Sequence, residues 1–445
     1  MGIFFPEPSI DIGKVGFQGN CDLGRSRSGE KLSELVEKIS EPVVIAADGP
    51  WGSGKSHFLK LWTGAHQLEN EGSAKVIYFD AFQHDYFDDP LVALVGQIFE
   101  DFSEENALDG KMKTFLKYAG RLIKPVTRIA LAAGTGLASE ALGKVAADAT
   151  NALGKEAEKA LDPVWENESN RRDAMEGFKK ALKDLTIASS PEEEPKKIVV
   201  IIDELDRCRP DFALNMLETI KHFFAVENVI FVLGVNLVEL ENSVKARYGA
   251  GINAGKYLQK FIHIRFVIEE RETYSGKEDI ALKYFNHIAT PDVLTSASYR
   301  EYLHLYLRNL DPNVQPNLRE VQRLITSAVI APNNYKLDPD IYLIAGLLIM
   351  SVTAPETISE AKAGILSFEK VERLLSLQSG KPKDDPQFFS GARDVWRLCL
   401  DPSFVCNMER LRQIGYPQGR TDRPNEMVPR VANFLFGAID VTRLE

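Results

Sequence analysis

Cysteine is scarce in this chain, which has four among 445 residues. Cys21, Cys208, Cys399 and Cys406 are too scattered for a disulfide framework. The step of seven residues between the last two matches no common zinc-ligand spacing. We therefore expect free thiols in a reducing compartment.

A basic excess is also missing. The chain has 53 Lys and Arg residues against 64 Asp and Glu residues, a net charge of −11. This balance argues against attraction of the whole protein to nucleic acid or anionic membranes, although a local basic face could serve either. The apolar fraction of 44% and the charged fraction of 26% are ordinary for a soluble globular protein, and the length favours two or three domains.

The N-terminal sequence MGIFFPEPSIDIGK has no basic region followed by a long apolar stretch, which a signal peptide would have. It begins with Met-Gly, but the myristoylation pattern requires Ser or Thr at residue 6, where Pro6 stands. We expect a cytoplasmic protein.

An uninterrupted apolar run of membrane-spanning length is missing as well. An Ala/Gly-rich tract extends from Ile129 to about Ala160, but Glu140, Lys144 and Asp148 interrupt it. A spanning helix needs about 20 consecutive apolar residues. Small residues at helical spacing favour close helix packing or self-association into a homo-oligomer, with peripheral membrane association as the alternative.

A basic segment, residues 111–128, precedes this tract. Its sequence KMKTFLKYAGRLIKPVTR contains six Lys and Arg residues with no acidic residue between them. Such a segment is typical of a solvated helix face, of a helix lying on a membrane surface, or of a contact with a phosphate-rich partner such as nucleic acid. The sequence leaves these three interpretations open.

Five short β-branched runs predict buried strands. Apolar residues are nearly continuous in each run, as in a parallel sheet that is covered on both faces. Helix-like stretches such as HFLKLWTGAHQL and DFALNMLETIKHFF separate them. The alternation predicts an α/β sandwich. The runs are VVIAA (43–47), VIYF (76–79), IVVII (198–202), VIFVLGV (229–235) and IHIRFVI (262–268).

The segment DGPWGSGKSHF, residues 48–58, matches the phosphate-loop pattern Gly-x-x-x-x-Gly-Lys-Ser. It follows the first predicted strand and opens a predicted helix, so backbone N–H groups and the positive end of the helix dipole converge there. Lys55 is expected to place its cation on the β- and γ-phosphates, and the Ser56 hydroxyl is expected to ligate Mg²⁺. The residues expected to contact the nucleotide are Gly49, Trp51, Gly52, Ser53, Gly54, Lys55, Ser56 and His57.

A second motif, KKIVVIIDELDRCRP, supplies the carboxylates that phosphate hydrolysis requires. Its predicted strand ends in Asp203, which is expected to hold Mg²⁺ directly or through water. Glu204 follows and is expected to polarise the attacking water as general base. A glutamate directly after the metal-binding aspartate favours a hydrolase over a phosphotransferase. The alternative for both residues is capping of the next helix.

Three further residues follow predicted strand ends. Asn236 is a candidate for hydrogen bonding to the attacking water or the γ-phosphate, with capping of the helix LVELENSV as the alternative. Arg207 and Arg209 could reach a nucleotide on a neighbouring subunit, but ion pairs with Asp206 and Glu204 are favoured.

Together these residues resemble the KAP family of P-loop NTPases, within the ASCE class, in which a glutamate follows the metal-binding aspartate. The resemblance covers roughly residues 25–330, interrupted by an insertion. The matching stretches are, in order, GPWGSGKSHFLKL with a tryptophan inside the loop, VIYFDAFQHD, IVVIIDELDRCRPDFALNMLETIKHFFAVENVIFVLGVN, KYLQKFIHIRF and PNLREVQRLI.

The resemblance implies an ATPase fold with sheet order 5-1-4-3-2, a helical lid, and ATP and Mg²⁺ as cofactors. It makes Arg319 and Arg323 candidates for a lid arginine at the γ-phosphate; the family position falls on Leu318 or Arg319, depending on the alignment. Residues 23–25 are candidates for the adenine side, with a plain helix lead-in as the alternative. Family members often carry transmembrane helices where the Ala/Gly tract lies, but this tract is more polar.

The spacing of the predicted strands sets the expected domains. More than a hundred residues separate the second run from the third, which predicts an insertion in the sheet domain. The expected divisions are a lead-in over 1–40, the P-loop domain over 41–270 with its insertion at about 103–195, a helical lid over 271–335 and a helical region over 336–445.

We therefore expect a Mg²⁺-dependent ATP hydrolase that works as a conformational switch on partner proteins of a multi-component system. Prokaryotic members of the family are associated with exclusion of phage, so the resemblance implies a role in antiviral defence. One alternative is a nucleotide-gated scaffold or sensor with negligible turnover. The other is a nucleic-acid-stimulated motor that uses the basic segment.

Overall fold

A computed structural model of the chain forms two compact units, residues 10–269 and residues 270–445. The residues that the structure describes are 10–18, 23–87, 89–103, 109–122, 168–187, 197–268, 272–273, 276–277, 280–311, 314–331, 338–378, 385–406, 408–413 and 423–436.

The first unit contains one five-stranded parallel sheet. Its order is β2-β3-β4-β1-β5, which confirms the predicted α/β class and the order 5-1-4-3-2 when it is followed from the other edge. All five predicted runs are strands. They are β1 (Val43–Asp48), β2 (Lys75–Asp80), β3 (Ile198–Asp203), β4 (Val229–Val235) and β5 (Ile264–Val267).

The two edge strands differ from the continuous burial that was expected. Every residue of β3 and β4 is buried, whereas β2 is only partly buried and β5 has no fully buried residue. The prediction of burial on both faces is therefore wrong for β5. An edge strand has a sheet neighbour on one side only, so the covering layers leave more of its side chains in contact with solvent.

Helices cover both faces of this sheet. Side chains alternate along β3, so Val199 and Ile201 enter the core beneath α1 and α2, whereas Val200 and Ile202 enter the core on the opposite face. The helices of the unit are α1 (Ser26–Lys38), α2 (Lys55–Leu68), α3 (Pro90–Ser103), α4 (Asp109–Leu122), α5 (Glu168–Thr186), α6 (Pro210–Phe223), α7 (Leu237–Tyr248) and α8 (Ala254–Leu258).

Two helices inside the predicted insertion, α4 and α5, pack side by side. The ring centroids of Phe115 and Phe178 are 5.0 Å apart. A Cβ on Gly177 would lie 2.2 Å from the Tyr118 ring, so glycine allows the close approach of the helices. The Lys111 ammonium donates to the backbone oxygen at the far end of α5, Ile187, over 2.8 Å. These contacts make the pair antiparallel.

The basic segment is described only as far as residue 122, and there it is helical. Lys113 and Lys117 are exposed on α4. Residues 123–128 and the Ala/Gly-rich tract lie outside the described residues, so the expectations placed on them stay predictions. Within the described ranges, every helix is too short or too polar to span a bilayer.

The described residues of the second unit form helices and one small antiparallel strand pair. Helix α12 contacts α10, α11, α15 and α17, and thus helices of both the predicted lid and the predicted C-terminal region. That division stays a prediction. The elements are β6 (Glu272–Thr273), β7 (Gly276–Lys277), α9 (Ile280–Ile288), α10 (Ala297–Asn309), α11 (Leu318–Ile330), α12 (Asp338–Thr353), α13 (Glu356–Ala363), α14 (Phe368–Leu374), α15 (Pro386–Leu400), α16 (Met408–Gln413) and α17 (Pro424–Phe436).

Candidate functional site

The phosphate loop connects the end of β1 to the start of α2. Its first amide, on Gly49, donates to the Val235 oxygen of β4 over 3.2 Å, which fixes the loop to the sheet. Gly52 and Gly54 have φ values of 78° and 83°, in the left-handed region that favours glycine. Gly54 is also the residue that immediately precedes α2. Two of the three loop glycines are thus required by the backbone itself.

Lys55 is the first residue of α2, directly after this loop, and is only 8% exposed. Its ammonium donates to the backbone oxygens of Gly49 and Pro50 over 2.6 and 3.1 Å. Burial lowers the pKa of Lys55, while the nearby carboxylates of Asp206 and Asp203 oppose that change. The site therefore holds a largely desolvated cation that bridges two loop carbonyls.

Asp203 brings the two sequence motifs together. It ends β3, is 1% exposed and accepts a hydrogen bond from the Ser56 hydroxyl. The Tyr78 hydroxyl donates to its Oδ2 over 2.7 Å, and the Glu204 amide donates to its Oδ1 over 2.9 Å. Burial raises the pKa of Asp203, and these hydrogen bonds act in the opposite direction. The structure thus places the two predicted metal ligands, Ser56 and Asp203, in contact.

Gly234, in the neighbouring strand β4, makes room for this carboxylate. A Cβ on Gly234 would lie 2.3 Å from the Asp203 Oδ1 and 2.6 Å from a methyl carbon of Leu59. Sequence reasoning missed this residue. Its one signal was a glycine inside an otherwise β-branched run, which marks a close approach of other atoms to the backbone.

The donor set fits Mg²⁺. A hydroxyl oxygen and a carboxylate oxygen are hard ligands, and a carboxylate whose charged form is disfavoured by burial gains from a cation beside it. No group of three or more His, Cys, Asp and Glu side chains among the described residues forms a metal cage.

Glu204 adopts a backbone conformation that is uncommon for a side-chain-bearing residue, with φ 60° and ψ 24°. Its carboxylate forms an ion pair with Arg207, 2.7 Å between Oε1 and a guanidinium nitrogen. The favoured ion pair is confirmed for Arg207. Arg209 instead donates to the backbone oxygen of Asp85 over 2.6 and 3.1 Å, so its expected pairing with Asp206 or Glu204 is wrong.

The reason for this difference lies in the turn that follows the acidic pair. Residues 205–207 form a single turn of 3₁₀ helix, which brings Arg207 back beside Glu204. Arg209 then leaves that turn in an extended conformation and precedes α6, so its side chain lies against the segment after β2.

Asn236 caps α7. Its side-chain oxygen accepts a hydrogen bond from the Val238 amide over 3.2 Å, which confirms the capping alternative. Contact of its amide nitrogen with water or phosphate stays a prediction. Beside it, the Asp48 carboxylate accepts from the Leu237 amide over 3.0 Å and pairs with Arg265 at 2.6 Å. Sequence reasoning did not single out Asp48, although it directly precedes the loop.

Two side chains brace the loop from outside it. The Trp51 indole is 44% exposed and donates to Asp206 over 2.5 Å, which links the loop tip to the 3₁₀ turn. Arg25, expected on the adenine side, is 4% exposed and donates to the Ser53 and Gly54 oxygens over 2.6 and 3.2 Å. Neither bracing contact was foreseen, because nothing in the spacing links these positions.

Three further predicted site residues lie on helices. His57 is half-buried in the first turn of α2. Arg319 is half-buried and Arg323 exposed on α11, in the second unit, and a contact with the γ-phosphate stays a prediction for both. Burial raises the pKa of Glu320 on that helix, while the Asn317 amide and the Arg323 charge act to lower it.

Comparison with known proteins gives one family. The KAP family P-loop domain matches residues 25–332. A comparison with curated sequences found no significant match. Among solved structures, the Aeropyrum pernix ORC2 protein in its ADP form is 13% identical, with 97% of this chain and 99% of that chain covered, at a TM-score of 0.36. The same protein in ADPNP–ADP complexes is 11% identical over 98% of each chain, also at 0.36. Likeness at this level carries no weight for function.

Proposed function

The chain belongs to the KAP family of P-loop domains, and from the geometry of its site we propose that it is a Mg²⁺-dependent ATP hydrolase. The observation that carries the proposal is the hydrogen bond between Ser56 and Asp203. It joins the phosphate loop to the carboxyl end of β3, where Glu204 is the next residue along the chain. The residues proposed to bind phosphate, to hold the metal and to activate water are thus neighbours in the structure.

Lys55 and the loop amides would hold the triphosphate. The Lys55 ammonium would exchange the Gly49 and Pro50 oxygens for phosphate oxygens. Because burial has already removed much of its hydration, this exchange requires little further desolvation. Ser56 and Asp203 would hold Mg²⁺, which when bound neutralises charge on the β- and γ-phosphates.

Glu204 would act as general base. It takes a proton from a water whose oxygen attacks the γ-phosphorus, while the bond from that phosphorus to the bridging oxygen of ADP breaks. The products are ADP and inorganic phosphate, and the proton passes from Glu204 to solvent. Arg207 keeps the carboxylate beside the 3₁₀ turn until the water arrives.

We further propose that turnover works as a conformational switch on a protein partner in a multi-component system, in antiviral defence. This part rests on the family resemblance, as does contact of Arg319 or Arg323 with the γ-phosphate. A nucleotide-gated scaffold with negligible turnover is the second candidate. The ion pair of Glu204 with Arg207 favours it, since a carboxylate held in this way is partly withdrawn from water activation.

Single-turnover hydrolysis of ATP by the purified chain tests the proposal. Glu204→Gln should bind ATP and hydrolyse it at least a hundredfold more slowly, on the order expected for loss of a general base. Lys55→Ala should lose ATP binding. Glu227→Gln, which alters an exposed glutamate paired with Lys183 at the opposite end of the strands, is the matched control. Wild-type hydrolysis by Glu204→Gln contradicts the assigned base, and ATP binding without turnover by the wild type supports the scaffold.

The motor alternative draws on the exposed Lys113 and Lys117 of α4. It predicts binding to DNA or RNA that weakens steeply with salt and is reduced in Lys113→Gln/Lys117→Gln. Hydrolysis that nucleic acid does not stimulate counts against it.

A further inference from the structure

A cavity of about 310 Å³ opens at the end of the sheet where the strands begin, opposite the end that carries the phosphate loop. It lies where β1 and β4 begin, beside the last turn of α6 and the segment that leads into β5. Strand β1 has six residues, so about 20 Å separates the cavity, at the start of the strand, from the phosphate loop, at its end. The cavity is therefore separate from the site described above, although both belong to the first unit.

The inner wall of the cavity is apolar and fixed. Phe224, Phe231 and Phe261 line it and are all buried. The rings of Phe224 and Phe231 pack edge to face, with centroids 5.6 Å apart. Such a wall is the usual lining of a small-molecule site, and the volume is at the lower end of the range of about 300–1,000 Å³ that such sites occupy.

The rim, in contrast, carries basic groups. Lys221 and Lys260 are exposed, and their ammonium groups lie 5.3 Å from the Phe261 ring centroid and 5.0 Å from the Tyr257 ring centroid. Among the described residues, neither lysine pairs with a carboxylate, and the thirteen lining residues include no Asp or Glu. These positive charges are complementary in sign to a ligand that carries an anionic group.

His263 adds a third group and fixes the rim to the sheet. Its backbone amide donates to the Val44 oxygen over 3.0 Å, and its Nδ1 accepts from the Val44 amide, also over 3.0 Å. Because Nδ1 is an acceptor there, the neutral ring carries its hydrogen on Nε2. That N–H is a further donor for an anionic group at the rim.

We propose that this cavity binds a small amphipathic anion, with an apolar chain or ring against the three phenylalanines and a single anionic head at Lys221, Lys260 and His263. The apolar depth and the cationic rim are complementary to the two ends of such a molecule. The inference does not depend on ATP hydrolysis, because the residues that line the cavity lie at the opposite end of the strands from the phosphate loop.

Calorimetry on the full chain with three probes of equal length tests the proposal. Octanoate should bind at one site per chain, 1-octanol at least about fivefold more weakly, and octylamine most weakly, because only the carboxylate gains from the basic rim. Lys55→Ala should bind octanoate like the wild type, which separates this site from the phosphate loop. Equal binding of the three probes, or no saturable binding of octanoate, overturns the proposal.

Paired variants locate the site. Lys260→Glu should weaken octanoate about tenfold, whereas Lys256→Glu, an equal change on an exposed lysine of α8 that does not line the cavity, should leave it unchanged. The double variant Lys221→Glu/Lys260→Glu should prefer octylamine to octanoate. Equal weakening by Lys256→Glu, or an unaltered preference in the double variant, shows that the anion is not held at this rim.

Discussion

Glu204 and Arg207 form an ion pair of 2.7 Å across one turn of 3₁₀ helix, directly after the strand that ends in Asp203. The carboxylate assigned to water activation is thus already engaged by a cation from its own turn. Opening a partly exposed pair of this kind costs up to about 1 kcal/mol. The pair can therefore modulate turnover without abolishing it.

Arg207→Gln is expected to raise the single-turnover rate of ATP hydrolysis by up to about fivefold, because the Glu204 carboxylate no longer has to leave the pair. Arg209→Gln, which alters a guanidinium bound to Asp85 instead, should leave the rate close to that of the wild type. Rapid-quench measurement at saturating ATP and Mg²⁺ gives the hydrolysis rates of the two variants and of the wild type. A lower rate in Arg207→Gln would show that Arg207 orients Glu204 or contacts phosphate.

At neutral pH and without nucleotide or metal, Asp203→Asn is expected to stabilise the folded protein by on the order of 1 kcal/mol, because the neutral amide avoids the cost of burying a carboxylate charge. Burial raises the pKa of Asp203 in the folded protein. A carboxyl whose pKa is raised in the folded protein contributes fully to stability below its pKa in the unfolded chain. That contribution is lost as the pH rises through the pKa of the folded state. Unfolding in EDTA, from about pH 4 to pH 8, should therefore show a steeper loss of stability for wild type than for Asp203→Asn.

The opposite result, an equal pH dependence in both proteins, would mean that another cation already compensates Asp203. Added Mg²⁺ provides the control, since it should stabilise the wild type and leave Asp203→Asn largely unaffected.

Gly234→Ala is expected to cost about 1–3 kcal/mol of stability, because its Cβ would overlap the Asp203 carboxylate and Leu59. Mg²⁺-dependent hydrolysis should fall as well, since Asp203 has to move. Gly251→Ala is the matched control, because a Cβ there meets nothing within 4 Å. Urea unfolding measures the first effect and hydrolysis the second. Equal stability of the two variants would contradict the assigned packing.

Trp51 should report nucleotide binding. It is 44% exposed and bound to Asp206, whereas Trp62 and Trp396 are fully buried. ATP at the loop is expected to change the tryptophan emission, and Trp51→Phe should lose most of that change while it still binds ATP. Fluorescence titration compared with calorimetry separates the two quantities. An undiminished change in Trp51→Phe would assign the signal to another tryptophan.

Much of the fold was predictable because its signals are local. The five β-branched runs, the glycines around Lys55 and the strand that ends in Asp203 each have a period or a spacing that one stretch of sequence displays. The same is true of the acceptor role of Asn236, since a short amide before a helix is a common cap.

The contacts that brace the site were not predictable, because they join residues far apart in the chain. Arg25 reaches the loop across 28 residues, Tyr78 reaches Asp203 across 125, and Trp51 reaches Asp206 across 155. No periodicity encodes such pairs. The expected partner of Arg209 was wrong for the same reason, since proximity in sequence suggested Asp206 while the fold supplied Asp85.

The antiparallel contact of α4 with α5 brings the C-terminal end of α4 close to the N-terminal end of α5. A chain that leaves and returns at neighbouring points can gain or lose residues between them at small entropic cost, and without disturbing the five strands. The connection from α4 to α5 is therefore a point at which the chain can change in length with little effect on the sheet.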